Sequence, residues 1–244
     1  MNHIRENLAV VHQRILNACR NSNRNPHEVS LLLATKTVSA ENIKIALQLG
    51  ETIIGENKVQ ELKEKFDALK DIPHQTHYIG HLQTNKIKEV IKYANCIQSV
   101  DRIELVQKLD QRLQREGRSI DMMLQVNTSY EESKFGLNPE AVINFAKEVC
   151  RYDTLKVKGL MTIGLFSAEK EKVRKCFQLL KDIRTELIAL ALPNFEMQQL
   201  SMGMSNDLET AIEEGSTMIR VGTAIFGSRI YPDSYYWNEK TTIQ

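Results

Sequence analysis

"EVSLLLATKTVSAENIKIALQLGETIIGENKVQELKEKFDAL", residues 28–69, holds one pattern twice: a short apolar run, a polar break, then an amphipathic stretch. Runs such as "SLLLA" and "TIIG" read as strands, and the longer amphipathic stretches after them as helices. The same alternation continues through "THYIG" and "HLQTNKIKEVIKYA", "CIQSV" and residues 103–115, "DMMLQV" and residues 139–150. It ends with "VKGLMTI" and residues 168–190, "FEMQQLS" and residues 207–214, and "TMIRVG". About eight units of roughly 30 residues are the arithmetic of a (β/α)8 TIM barrel. The runs lack strict alternation, which suits parallel strands covered on both faces. A doubly wound sheet has the same local rhythm; eight repeats and no GxGxxG turn favour the barrel. Upstream, Ile4, Leu8, Val11, Ile15 and Ala18 make one apolar stripe, an extra N-terminal helix that must pack on the barrel. With no linker or low-complexity segment to divide it, residues 1–244 are expected to form a single domain.

Composition narrows the partners. The 244 residues are 42% apolar with a formal net charge of +1, acids and bases interspersed, so no basic footprint for nucleic acid or a membrane is expected. The partner should be small. Cys19, Cys96, Cys150 and Cys176 are far apart, with no CxxC pair and no zinc-like spacing, which fits a reducing, cytoplasmic setting. Charges interrupt every apolar run of the N-terminus, and no segment approaches a membrane span; a soluble monomer is expected.

In a barrel of this class the chemistry sits at the C-terminal ends of the strands. Lys36 ends the first apolar run. A lysine there can simply lay its stem on the core and its ammonium in water. It can also be partly desolvated, which favours the neutral amine and permits a Schiff base with a carbonyl compound. After strand seven, Ser201, Gly203 and Ser205 precede a helix opened by Asn206 and Asp207; after strand eight come Gly222 and Thr223. Either loop alone reads as helix capping. Both together, opposite a strand-one lysine, read as a phosphate site, because small residues expose backbone N–H groups and hydroxyls there. An amine and a phosphate site at one barrel mouth describe pyridoxal 5′-phosphate.

The stretches "ATKTVSAENIKIALQLGETIIGENKVQELKEK", "HYIGHLQTNKIK", "GLMTIG" and the thirty residues "LSMGMSNDLETAIEEGSTMIRVGTAIFGSR" resemble the pyridoxal phosphate homeostasis proteins across essentially the whole chain. That resemblance implies the barrel of the alanine racemase N-terminal type and the cofactor carried as an aldimine on Lys36. It places Asn57 beside the cofactor, Ser201, Ser205, Gly222 and Thr223 on the phosphate loops, and Arg220 facing the pyridine nitrogen. Lys134, in "EESKFG", matches a lysine proposed to help move cofactor on or off the protein. The chain departs from its relatives at Lys58, where a tyrosine is usual, and at Gly164, where proline is common.

Asn57 reads equally as a helix cap and as a ligand contact. His81, at the start of an expected helix, reads as a local hydrogen-bonding residue. Arg220, donor-only and always charged, would keep a ring nitrogen unprotonated and the cofactor a weaker electron sink. Racemisation needs a second acid/base group besides Lys36, and none is evident. Alanine racemases, by the same resemblance, take theirs from an additional domain, whereas here only "IYPDSYYWNEKTTIQ" follows the barrel. The expectation is a cofactor-binding and delivery protein with PLP-dependent apo-enzymes as acceptors and no catalytic turnover. Its alternatives are a weak PLP-dependent racemase or related lyase, with a tail tyrosine or a barrel-mouth residue as the second base, and an aldol-type barrel that uses Lys36 without cofactor.

Overall fold

The structure is a computed structural model that describes residues 2–227. An N-terminal helix, α1 (Asn2–Asn21), precedes β1 (Ser30–Ala34), α2 (Ala40–Gln48), β2 (Ile53–Glu56), α3 (Val59–Leu69), β3 (Gln75–Tyr78), α4 (Ile87–Tyr93) and β4 (Cys96–Val100). Then follow α5 (Ile103–Glu116), β5 (Ile120–Gln125), α6 (Val142–Val149), β6 (Leu155–Met161), α7 (Lys170–Ala189), β7 (Phe195–Ser201), α8 (Leu208–Glu213), β8 (Met218–Val221) and α9 (Thr223–Phe226). The strands close in sequence order into one parallel barrel, β8 returning to β1 through Ser30↔Met218, Leu32↔Arg220 and Leu33↔Val221. The expected (β/α)8 architecture and its extra N-terminal helix are therefore both present.

Local chemistry explains the ends of several elements. Ser39 stands extended at the N-cap of α2 and its Oγ accepts from Asn42 N–H at 3.4 Å, while Gly117 closes α5 at φ +61. Inside the barrel Leu32, Cys96, Met123, Met161 and Met218 pack together, and a larger shell of aliphatic side chains fills the space between strands and helices. The stripe on α1 is buried as expected, from Ile4 to Ala18, against Leu208, Ile212 and Ile225. Polar contacts fix that helix: Arg14 grips Glu209 with two bonds of 2.6 and 2.9 Å, and Asn7 donates to Ile225 O at 2.9 Å. The partner of α1 is thus the pair of short helices that follow β7 and β8.

Three sequence expectations shift. The helix expected from His81 starts at Ile87, after a 3-10 turn over Thr84–Lys86. Just before His81 the chain passes the residue after β2 so closely that a Cβ on Gly80 would lie 2.2 Å from Asn57 O, which only glycine permits. The four-residue helix α9 has no counterpart in the sequence reading. Lys36 lies two residues beyond Ala34, on a turn and not at the strand's last position.

Candidate functional site

Residues Thr35–Val38 form a tight turn above β1, closed by Val38 N–H donating to Thr35 O at 2.9 Å. Lys36 occupies its second position and is 8% exposed. Thr37 occupies the third with φ +66, a left-handed conformation that glycine normally fills and that a β-branched residue adopts only under constraint.

Beside β1, β8 sends Arg220 into the barrel interior. Its Nη1 donates to Ser201 Oγ and its Nη2 to Thr162 O, each at 2.7 Å. The chain of bonds continues: Ser201 Oγ donates to Gln98 Oε1 at 2.7 Å, and Gln98 Nε2 to His77 Nδ1 at 2.7 Å. Burial pulls the Arg220 pKa down to about 10, with the carboxylate of Asp207 opposing the shift, so the guanidinium stays charged at neutral pH. Ser201 was expected on a phosphate loop. It is wholly buried; its hydroxyl donates to Gln98 Oε1 and accepts from Arg220 Nη1.

Ser205 and Thr223 do come together, with hydroxyls 3.2 Å apart, and Ala224 N–H points to Ser205 Oγ at 3.4 Å. Asp207 folds back so that its Oδ1 accepts from Met204 N–H at 2.5 Å, closing the loop that carries Ser205. Gly222 is the N-cap of α9, without a side-chain cap bond. The helices here, α8 and α9, span six and four residues, so little dipole stands behind either loop and the hydroxyls are the main donors. The expected position opposite Lys36 is corrected by the topology: β7, β8, β1 and β2 are consecutive in the closed barrel, so Ser205, Thr223, Arg220, Lys36 and Asn57 share one sector of the mouth.

Asn57 follows β2, and its carbonyl accepts from Tyr78 Oη at 3.2 Å. It does not cap α3; Lys58 holds that position and makes no side-chain cap bond. His81 lies in the loop after β3 with its ring stacked on Phe135 at 3.8 Å and 19°, tying that loop to the one after β5. Lys134 belongs to the latter loop, on the far side of the barrel from β1. Its Nζ pairs with Glu131 and donates to Gly164 O at 2.8 Å. Gly164 has φ +71 and its N–H donates to Thr162 Oγ1 at 3.1 Å, a position proline could not take on either count.

Sequence reasoning missed Gln98, His77 and Thr162 as supports of Arg220, and Glu56, Glu61 and Lys65 beneath the Lys36 turn. A signal was there: Gln98 and His77 interrupt apolar strand runs, and a polar side chain buried in a barrel must find partners. Burial lowers the pKa of His77 to about 4, so its neutral ring accepts from Gln98. Between pH 6.5 and 4 the unfolded chain then binds a proton the folded chain refuses, and stability falls as pH drops, by about 3 kcal/mol when complete. His77→Gln, which retains an acceptor, should flatten that part of the pH dependence. Urea midpoints at pH 7 and pH 5 check this; an unchanged difference between the two proteins would remove His77 as its source.

Comparison with known proteins agrees with the fold. The alanine racemase N-terminal domain family matches residues 2–230. The pyridoxal phosphate homeostasis protein of Aquifex aeolicus is 40% identical over 229 residues, 93% of this chain and 98% of its own. The crystal structure of an unknown protein from Bifidobacterium adolescentis superposes with a TM-score of 0.88 at 36% identity, over 92% of this chain and 95% of the other. PipY of Synechococcus elongatus, solved with PLP bound, superposes with a TM-score of 0.78 at 31% identity, over 89% of this chain and 100% of its own.

Proposed function

The chain belongs to the pyridoxal phosphate homeostasis proteins, within the alanine racemase N-terminal domain family, and on that premise we propose that it holds pyridoxal 5′-phosphate covalently on Lys36 and delivers it to apo-enzymes. The donor set suits this cofactor, which when bound supplies an aldehyde, a ring nitrogen and a phosphate. Lys36 Nζ is the amine for the aldehyde, while Ser205 Oγ, Thr223 Oγ1 and the Gly222 backbone serve the phosphate. Asn57 stands beside the ring, and Ser201 contributes by fixing Arg220.

The observation that carries the reading is Arg220. A buried guanidinium held by Ser201 and Thr162, on the strand bonded to the one that leads to Lys36, can only donate. It therefore suits a ring nitrogen kept unprotonated, where electron withdrawal is weak and amino-acid chemistry slow. Storage follows: Lys36 keeps the aldehyde from other amines until one displaces it at the same carbon. The tail tyrosines considered as a racemase base, Tyr231, Tyr235 and Tyr236, lie outside the described residues.

We read residues 1–244 as one domain acting as a cytoplasmic monomer. All four cysteines are free, as in a reducing compartment, and among the described residues no helix is long and apolar enough to cross a membrane. Two assays test the function together. Loaded protein mixed with a PLP-dependent apo-enzyme should restore that enzyme's activity, and incubation with alanine or serine in deuterated water should leave the α-proton in place. Turnover with α-exchange would promote the weak racemase, and failure to reactivate any apo-enzyme would reduce the protein to a cofactor sink.

A further inference from the structure

Beneath the Lys36 turn lies a charged cluster that the cofactor reading does not use. Lys65, on α3, is buried and donates three bonds: to Thr35 O at 2.8 Å, to Glu56 Oε1 at 2.8 Å and to Glu61 Oε2 at 2.7 Å. Glu61 Oε2 also accepts from Thr37 N–H at 2.7 Å. Glu56, 1% exposed, takes the Thr35 hydroxyl at 2.6 Å. Lys65 and Glu61 thus hold the backbone immediately before and immediately after Lys36, and Glu56 anchors Lys65 from below.

We infer that α3 is a clamp for the Lys36 amine, with Lys65 and Glu61 as positioning residues that keep the Thr35–Val38 turn in its strained form. The turn needs such a clamp because its third residue is threonine at φ +66; no glycine relieves it. Two buried ionisable groups, Lys65 and Glu56, with the half-buried Glu61 beside them, are also an expensive way to pack a helix on a strand, where aliphatic side chains would serve stability as well or better. A structure that retains them gains a fixed geometry at the residue they surround. Burial raises the Glu56 carboxyl pKa and Lys65 pulls it back, so loss of Lys65 can be met by protonating Glu56. The fold should therefore survive that change.

The inference rests on the reading of Lys36 as the tether. Tethering joins Nζ to the aldehyde carbon with release of one water and no redox change, so it depends on where Nζ stands, whereas phosphate binding does not. Pyridoxine 5′-phosphate, which has an alcohol in place of the aldehyde, supplies the control. In Glu61→Ala and Lys65→Met the preference for pyridoxal 5′-phosphate over pyridoxine 5′-phosphate should fall at least about tenfold, with pyridoxine 5′-phosphate affinity unchanged. Glu61→Gln, which keeps an acceptor for Thr37 N–H, should stay near wild type, and Thr37→Gly added to Glu61→Ala should recover the preference. An unchanged preference in both folded variants, equal weakening of both ligands, or no recovery with Thr37→Gly would overturn the clamp. If the wild-type protein itself shows no preference, the tether reading fails and takes the clamp with it; intact wild-type preference with unaffected variants removes the clamp alone.

Discussion

Lys36→Ala should lose the borohydride-stable attachment of pyridoxal 5′-phosphate altogether, together with the visible absorption of the loaded protein, while the fold and weak phosphate-dependent binding persist. The argument is one of position. A tether needs an amine within reach of an aldehyde whose phosphate is already held, a gain that in well-oriented intramolecular reactions reaches effective molarities of about 10⁵ M or more. Lys36, on the turn above β1, shares its sector of the mouth with Ser205, Thr223 and Arg220. The other candidates are placed differently. Lys134 is bound to Glu131 and to the Gly164 carbonyl on the far loops, and Lys58 sits at the N-cap of α3. Neither should replace Lys36, so no borohydride-fixed cofactor should be recovered from Lys36→Ala. Peptide mapping after borohydride decides the matter: label recovered mainly on Lys134 or Lys58 would sink the assignment.

The alternation that begins in residues 28–69 made the barrel legible only once it was followed through eight units, because a parallel strand covered on both faces and an amphipathic helix leave different marks on a sequence. Lys36 stood out in the sequence not by closing an apolar run, which a lysine can do with its stem on the core, but by doing so in a chain that also carries small and hydroxyl residues after β7 and β8. Its turn did not. The left-handed conformation of Thr37 is imposed by Glu61 and Lys65 from the next helix, a tertiary contact that leaves no local signature. The helix expected at His81 starts only at Ile87, after a loop in which Gly80 packs on Asn57 and His81 stacks on Phe135, contacts with other loops that leave no local signature either. Ser201 and Ser205 look alike in "LSMGMS", yet the first faces the barrel interior and binds Arg220 while the second meets Thr223 on the rim. Strand alternation would put residues four apart on one face; the two separate because the strand ends at Ser201.

That difference sets the expected hierarchy of affinity. Pyridoxal, which lacks the phosphate, should bind far more weakly than pyridoxal 5′-phosphate, because the rim donors have no charged acceptor to meet. A hydrogen bond to a charged group contributes about 1.5–3 kcal/mol, so losing the one from Ser205 or Thr223 should weaken binding by about 10- to 150-fold. The hydroxyls of Ser205 and Thr223 stand 3.2 Å apart and share one anion, so the losses in Ser205→Ala and Thr223→Val should be coupled and the double variant should lose less than their sum. Ser201→Ala should behave otherwise. With its hydroxyl set between Gln98 and Arg220, its removal should disturb Arg220 and therefore the ring, lowering affinity for pyridoxal and for pyridoxal 5′-phosphate alike. Spectral titrations of the two ligands against the three single variants separate these roles. Equal affinities of the wild-type protein for both ligands would remove the phosphate site, and a phosphate-selective loss in Ser201→Ala would return that residue to the rim.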